Sequence, residues 1–177
     1  MNALIIIDVQ NDFVTGSLGT NEAELMIPKL CKKLNDIHNN VNQENGFTRL
    51  FFTMDSHNKG YSYTLEGKNL PIKHCIQGTQ GWQIVDELKP FIPFAEDIFI
   101  KNSFGCKDFL YVDLSFYNKI ELCGLCTDIC VITNALFLKT KYPNIPIYVD
   151  STCCAGTSPE MHEKALQVMK QCQIEIF

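Results

Sequence analysis

Ala3-Leu4-Ile5-Ile6-Ile7-Asp8 is a run of five apolar residues closed by an acid. A run so continuous, with no alternation of polar positions, marks a strand buried on both faces, as in parallel sheets covered by helices on each side. The pattern of apolar run, turn and polar side chain recurs outward along the chain. Phe47 to Thr53 forms a second strand ending near Asp55, and Asp97 to Ile100 delivers Lys101. Lys119 to Cys123 leads into Gly124-Leu125-Cys126-Thr127-Asp128-Ile129-Cys130-Val131. Ile145 to Val149 precedes Asp150 and a turn-rich stretch, and Ile174 to Phe177 closes the sheet. Helical spacing of apolar residues falls between these runs. Leu25 to Ile37 reads as a helix with Asn21 as cap and Pro28 in its first turns. Gly81 to Leu88 and Asp108 to Leu114 read as short helices, the former stopped by Pro90 and Pro93. Thr127 to Lys139 and Pro159 to Gln171 follow, the last capped by Ser158. Such alternation predicts a single domain (1–177) of three-layer α/β/α architecture, Rossmann-like, with a mainly parallel six-stranded sheet.

The bulk composition narrows the function classes. Hydrophobic residues make up 46% of the 177 and charged residues 20%, ordinary for a globular domain with a substantial core. A net charge of −5, with Lys32-Lys33 the densest basic pair and placed on a solvated helix face, argues against nucleic acid as a partner. The apolar runs are too short to span a bilayer, so no membrane partner is expected. No basic-then-apolar leader opens the sequence, and a cytoplasmic location is expected. Nine cysteines are then expected to be mostly reduced. The C-x2-C-x3-C spacing of Cys123, Cys126 and Cys130 invites a thiolate metal site, but no second pair or histidine completes a four-ligand set. Cys153 and Cys154 are assigned to packing. The dinucleotide fingerprint is absent after the first strand, which disfavours a nucleotide-cofactor enzyme.

In parallel sheets ligands bind beyond the carboxyl ends of the strands. Asp8, Asp55, Lys101 and Cys130 all fall at or just past such ends. Cys130 in a first helical turn would feel the positive end of the helix dipole, which favours the thiolate. The polar stretch from Met54 to Gly81 lacks periodicity, and so long an irregular segment in a compact domain is usually functional.

Five motifs occurring in order carry a resemblance. They are Ile7-Asp8-Val9-Gln10-Asn11-Asp12-Phe13, Thr53-Met54-Asp55-Ser56-His57, His74-Cys75-Ile76-Gln77-Gly78-Thr79, Lys101-Asn102-Ser103-Phe104-Gly105, and Gly124 to Val131. The chain resembles the isochorismatase-like cysteine hydrolases, a family that includes nicotinamidases and N-carbamoylsarcosine amidase. The resemblance implies a catalytic triad of Asp8, Lys101 and Cys130, and a cis peptide at Leu125-Cys126. It also implies an oxyanion hole from the backbone amides of Cys126 and Cys130, and Phe13 in the substrate wall. Asp55, His57 and His74 resemble the ligands of a divalent metal, zinc first with manganese or iron as alternatives. Glu66 is placed as fourth ligand and Ser62 as its substitute. His38 and His162 are expected at the surface.

Isochorismatases proper lack the cysteine, so Cys130 favours C–N hydrolysis through a thioester. The implied reaction is cleavage of a small amide, foremost nicotinamide to nicotinate and ammonia, in a homo-oligomer (dimer or tetramer). Two departures bear on substrate. The segment Asn69-Leu70-Pro71-Ile72-Lys73-His74 lacks the aromatic usual before the last metal histidine, and Ser56 replaces a tryptophan. Trp82, the single tryptophan, is expected to pack beneath the pocket. An N-carbamoyl compound or ureide therefore remains an alternative substrate, and a non-catalytic metal- or ligand-binding protein or a redox sensor an alternative class.

Overall fold

The computed structural model describes residues 1–39 and 47–177. Six strands, β1 (Asn2–Ile7), β2 (Thr48–Asp55), β3 (Ala95–Lys101), β4 (Ile120–Leu125), β5 (Ile147–Ala155) and β6 (Glu175–Ile176), form one sheet in the order β3-β2-β1-β4-β5-β6. Every neighbouring pair is parallel. The chain steps from β1 out to β2 and β3, then returns past them to β4. Crossovers on the two sides of β1 run in opposite directions, and their shared right-handedness puts their helices on opposite faces. Thus α2 (Asn21–Asn39) covers one face, while α4 (Ile132–Lys141) and α5 (Pro159–Gln171) pack together on the other. The short helices α1 (Asn11–Val14) and α3 (Leu65–Asn69) lie in the connections after β1 and β2. Ala3 to Ile7 are fully buried, as the opening run requires, within a single apolar core spanning both layers.

Several boundaries differ from the sequence reading, each for a local reason. The cap of α2 is Thr20, whose hydroxyl accepts from Ala23 N at 3.1 Å, with Asn21 already helical. Pro28 sits in the helix interior rather than its first turns. The short helix expected at 81–88 is instead a 3-10 segment over Asp86–Phe94 that runs through Pro90 and Pro93, a looser geometry in which proline loses fewer hydrogen bonds. A 3-10 turn at Lys107–Leu110 replaces the helix expected at 108–114. The expected strand beginning Phe47 starts at Thr48. The Met54 to Gly81 connection contains a 3-10 turn at Tyr61–Tyr63 and α3, whose Thr64 cap accepts from Gly67 N at 2.9 Å.

β5 runs on through Asp150 to Ala155, where turn residues were expected. Lys33 explains how Asp150 is tolerated there. From α2 it reaches Asp150 Oδ2 at 2.5 Å and also pairs with Glu121 on β4, while Thr152 N and Oγ1 donate to Asp150 Oδ1. Lys33 is therefore half-buried and structural, whereas Lys32 alone faces solvent. Burial works against the Asp150 charge, but the Lys33 and Thr152 bonds outweigh it and hold the carboxyl below its ordinary range. A depressed carboxyl stabilises the fold above its unfolded pKa and loses that contribution as pH falls through the folded value. Asp150→Asn is expected to cost about 2 kcal/mol at neutral pH, as for charged hydrogen bonds generally. Urea unfolding at stepped pH checks this, since the gap from wild type should close as pH falls below 4.

Candidate active site

The sheet's switch point lies between β1 and β4, and the polar cluster forms there. Asp8 follows β1 with φ +49°, a left-handed conformation that a non-glycine residue adopts at local cost. Gly124, at φ +118°, pairs with Ile7 so closely that a Cβ would stand 2.1 Å from the Ile7 carbonyl oxygen. No side chain fits where β4 passes the base of Asp8. Register then sets the rest. Asp55 on β2 is the pairing partner of Lys101 on β3, and Asp8 N donates to Thr53 O at 3.2 Å.

Lys101 Nζ stands 2.6 Å from Asp8 Oδ2, 3.4 Å from Cys130 Sγ and 3.6 Å from Asp55 Oδ1. All four residues are buried. Asp8 Oδ1 accepts from Thr53 Oγ1 at 2.6 Å, while Oδ2 receives no aligned hydrogen bond despite its ion pair. Burial first, against the pull of Lys101, raises the Asp8 carboxyl above its ordinary value. Burial also opposes the Lys101 charge, but Asp8, Cys130 and Asp55 together hold the ammonium protonated beyond its usual range. The Cys130 thiol is pushed well above its ordinary value, by burial and then by the Asp8 carboxylate, with Lys101 opposing. This upward direction runs against the thiolate that the helix dipole would favour. Cys130 lies in a π-type turn, Thr127–Val131, that precedes α4, and the Leu125-Cys126 peptide before it is cis. Cys126, half-buried at that bond, has its thiol raised to about 12 by burial and then Asp128.

A second group adjoins this one. Ligand atoms of Asp55, His57 and His74, all buried, lie within 4.8 Å of one another. His57 Nε2 is buried 2.8 Å from Asp55 Oδ2 without an aligned hydrogen-bond partner. His74 Nδ1 faces Ile72 O at 2.9 Å; a carbonyl only accepts, so Nδ1 carries the proton and Nε2 is left as a lone-pair donor. Glu66 Oε1, from α3, is 3.7 Å from both His57 Nε2 and His74 Nε2. Burial disfavours the Asp55 charge, but His57 and Lys101 hold the carboxyl below its ordinary range. A buried carboxylate and two imidazoles fit a divalent ion with further positions open. Ser62, the alternative to Glu66, is exposed.

Around these groups, the Phe13 ring is 5.5 Å from that of His74, and Tyr61 packs edge-on against both histidines. Trp82 is half-buried with its indole N–H unpartnered. Cys123 is buried with Sγ 4.0 Å from Ile5 O, and all nine cysteines are free thiols. His38 is exposed as expected, but His162 is half-buried with Nδ1 2.8 Å from Thr127 Oγ1.

Two residues important to this arrangement were missed in the sequence reading. Gln10 Nε2 donates to Asp55 O (2.8 Å) and Trp82 O (2.7 Å), and its Oε1 accepts from Asp55 N (2.7 Å). Asn134, fully buried on α4, donates to Cys130 O (2.8 Å) and Phe104 O (3.2 Å) and accepts from Cys106 N (2.7 Å). It staples the segment after Lys101 to the turn carrying Cys130. A polar residue inside an apolar helix was the available signal. Asn134→Ala orphans these groups and is expected to lower stability by roughly 2 kcal/mol and slow Cys130 alkylation; urea unfolding and iodoacetamide kinetics check both.

Comparison with known proteins agrees with the geometry. Residues 2–177 match the Isochorismatase domain family model, and the chain belongs to that family. It is 30% identical over 183 residues to the uncharacterized isochorismatase family protein PncA of Bacillus subtilis, covering 93% of this chain and 91% of that one. It is 24% identical over 211 residues to the nicotinamidase of Schizosaccharomyces pombe, covering 99% and 92%. The pyrazinamidase of Pyrococcus horikoshii, solved in complex with zinc, superposes with TM-score 0.81 at 26% identity, covering 99% and 98%. Among the described residues, no helix is long and apolar enough to cross a membrane.

Proposed function

We propose that this chain is a cysteine amidohydrolase that converts nicotinamide to nicotinate and ammonia. The observation that carries it is a buried thiol, an ammonium and a carboxylate in one contact chain, Cys130 to Lys101 to Asp8. Because burial keeps Cys130 protonated, a base must act during attack. Asp8 fills that role: its carboxyl is raised above the ordinary value, and it is joined to the thiol through Lys101, which contacts both. The thiol proton passes to Asp8 as Sγ bonds to the amide carbon and the carbonyl electrons move to oxygen. The backbone amides of Cys126 and Cys130, which the resemblance implies as the oxyanion hole, would donate to that oxygen, donors of a kind each worth about 3 kcal/mol of barrier. Collapse expels the amine, which leaves as ammonia with the Asp8 proton. Water then loses a proton to Asp8, attacks the thioester and releases the acid, and Cys130 Sγ regains the proton. Lys101 stays charged throughout, offsetting the Asp8 carboxylate at rest and the negative charge that builds on sulfur as the thiol gives up its proton.

Asp55, His57, Glu66 and His74 would hold a divalent ion, and the zinc of the Pyrococcus structure favours zinc. When bound, the ion supplies a Lewis acid that can hold the ring nitrogen. Phe13 and Tyr61 give the ring an aromatic surround. The chain would act as a single domain in the cytoplasm and, as its resemblance implies, as a homo-oligomer. A second reading, hydrolysis of another small amide such as an N-carbamoyl compound or ureide, is favoured by the stretch before His74. There Pro71, Ile72 and Lys73 are exposed, and the stretch itself carries no aromatic residue.

Steady-state assays across a panel of small amides decide between the two. Nicotinamide is expected to be turned over best, Cys130→Ala to abolish turnover, and chelation to remove activity that zinc restores. Because Asp8 must be ionised and its carboxyl is raised, kcat/KM should fall on acidification at a pH above the ordinary carboxylate value of 3.8. An acid limb at or below that value, or no nicotinate at saturating nicotinamide, contradicts this assignment.

A further inference from the structure

Asp12 lies four residues beyond Asp8, outside both polar clusters, and its carboxylate is committed elsewhere. Oδ2 accepts from Cys75 N at 2.7 Å, 63 residues away in sequence. Oδ1 accepts a longer bond, 3.4 Å, from Ser17 N. Cys75 directly follows His74 and is fully buried at φ +45°, a left-handed conformation unusual for a side chain of its kind. The backbone there is held from both sides: His57 N donates to Cys75 O at 2.9 Å, and Gln77 N donates to His57 O at 2.8 Å. One strained residue thus sets where both histidines stand, and the carboxylate of Asp12 anchors its amide.

The chain leaves room for this anchor. A Cβ on Gly81 would stand 2.2 to 2.3 Å from the carboxyl atoms of Asp12, so only glycine admits the carboxylate at that place. Gly81 O also accepts from Asp12 N at 2.9 Å. The neighbours of Asp12 continue the clasp, with Asn11 Nδ2 bound to Gln80 O at 2.8 Å. Segment 10–12 therefore fastens the metal-ligand loop to the same β1 end that delivers Asp8.

We propose that Asp12 is a positioning residue for the metal centre: by holding the Cys75 amide it fixes His74, and through Cys75 O it fixes His57, in the geometry that ligates the ion. This rests on the reading of Asp55, His57, Glu66 and His74 as metal ligands. Outer partners that orient ligands commonly change affinity by about 10- to 100-fold when removed. Substitution should therefore weaken the ion's hold and spare the thiol, because none of the bonds to Asp8, Lys101 or Cys130 involves Asp12.

The test measures zinc affinity by competition with a chromophoric chelator, and iodoacetamide alkylation of Cys130 in the metal-free form, for wild type and three full-length variants. Asp12→Ala is expected to weaken zinc at least tenfold with Cys130 alkylation within twofold of wild type. Asp12→Asn, which retains a carbonyl acceptor for the Cys75 amide, should recover most of that affinity. Gly81→Ala, which displaces the carboxylate without altering it, should reproduce the loss. Zinc binding in Asp12→Ala within twofold of a wild type that does bind zinc overturns the proposal and leaves the ligand assignment standing. Loss of alkylation in parallel with zinc also overturns it, because Asp12 would then support the whole fold. A wild type that binds no zinc overturns the ligand assignment and this inference with it.

Discussion

The Lys101 ammonium, buried among Asp8 Oδ2, Asp55 Oδ1 and Cys130 Sγ, is the interaction on which the site depends. A lone cation at this depth would be too costly to keep charged, and two carboxylates are what retain it. The reverse holds as well, since two acids a few ångströms apart would otherwise drive one another to neutrality. Three adjacent parallel strands deliver these groups. Lys101 and Asp55 face each other across the β2–β3 pairing, and Asp8 follows β1 on the other side of β2. A one-residue slip in either pairing would turn one charge away from the cluster.

That arrangement also divides the labour of Asp55. One carboxylate oxygen faces Lys101 and the other faces His57 and His74, so a single side chain belongs to both polar groups. Gln10 bonds to the backbone of Asp55 on either side of its side chain, and the strained Cys75 turn holds the two imidazoles. The Asp8–Lys101–Cys130 group and the loop carrying His57 and His74 are thus one connected body. Burial and the Asp8 carboxylate push the Cys130 thiol up, and the nearby Lys101 ammonium opposes them.

The sheet was readable because its central strands are buried on both faces: Ala3 to Ile7 is an unbroken apolar run and Leu50 to Phe52 an apolar stretch within β2, and the polar residues that end such strands gather in one cluster. Asp8, Lys101 and Cys130 were legible for that reason, and the paired motifs extended the reading to Asp55, His57 and His74. What the sequence concealed depends on contacts between distant segments. Nothing near Asp150 discloses the Lys33 bond, from a helix 117 residues earlier, that lets β5 continue. Gln10 binds backbone 45 and 72 residues away, and Asn134 binds backbone 28 and 30 residues away besides the Cys130 carbonyl of its own turn, partners that periodicity does not disclose. Proline rules misjudged Pro28 and the 86–94 segment, because packing can hold proline inside helical backbone.

The account turns on Cys130 as the atom that bonds to substrate while the neighbouring loop holds the ring. A crystal structure of the zinc-loaded protein with pyridine-3-carbaldehyde tests both at once, since an aldehyde captures a nucleophilic thiol without a leaving group. The account predicts a covalent bond from Cys130 Sγ to the former carbonyl carbon, with its oxygen towards the amides of Cys126 and Cys130 and the ring nitrogen on the ion. An aldehyde bonded to another residue, or lying unbonded with its ring away from His57 and His74, would contradict it.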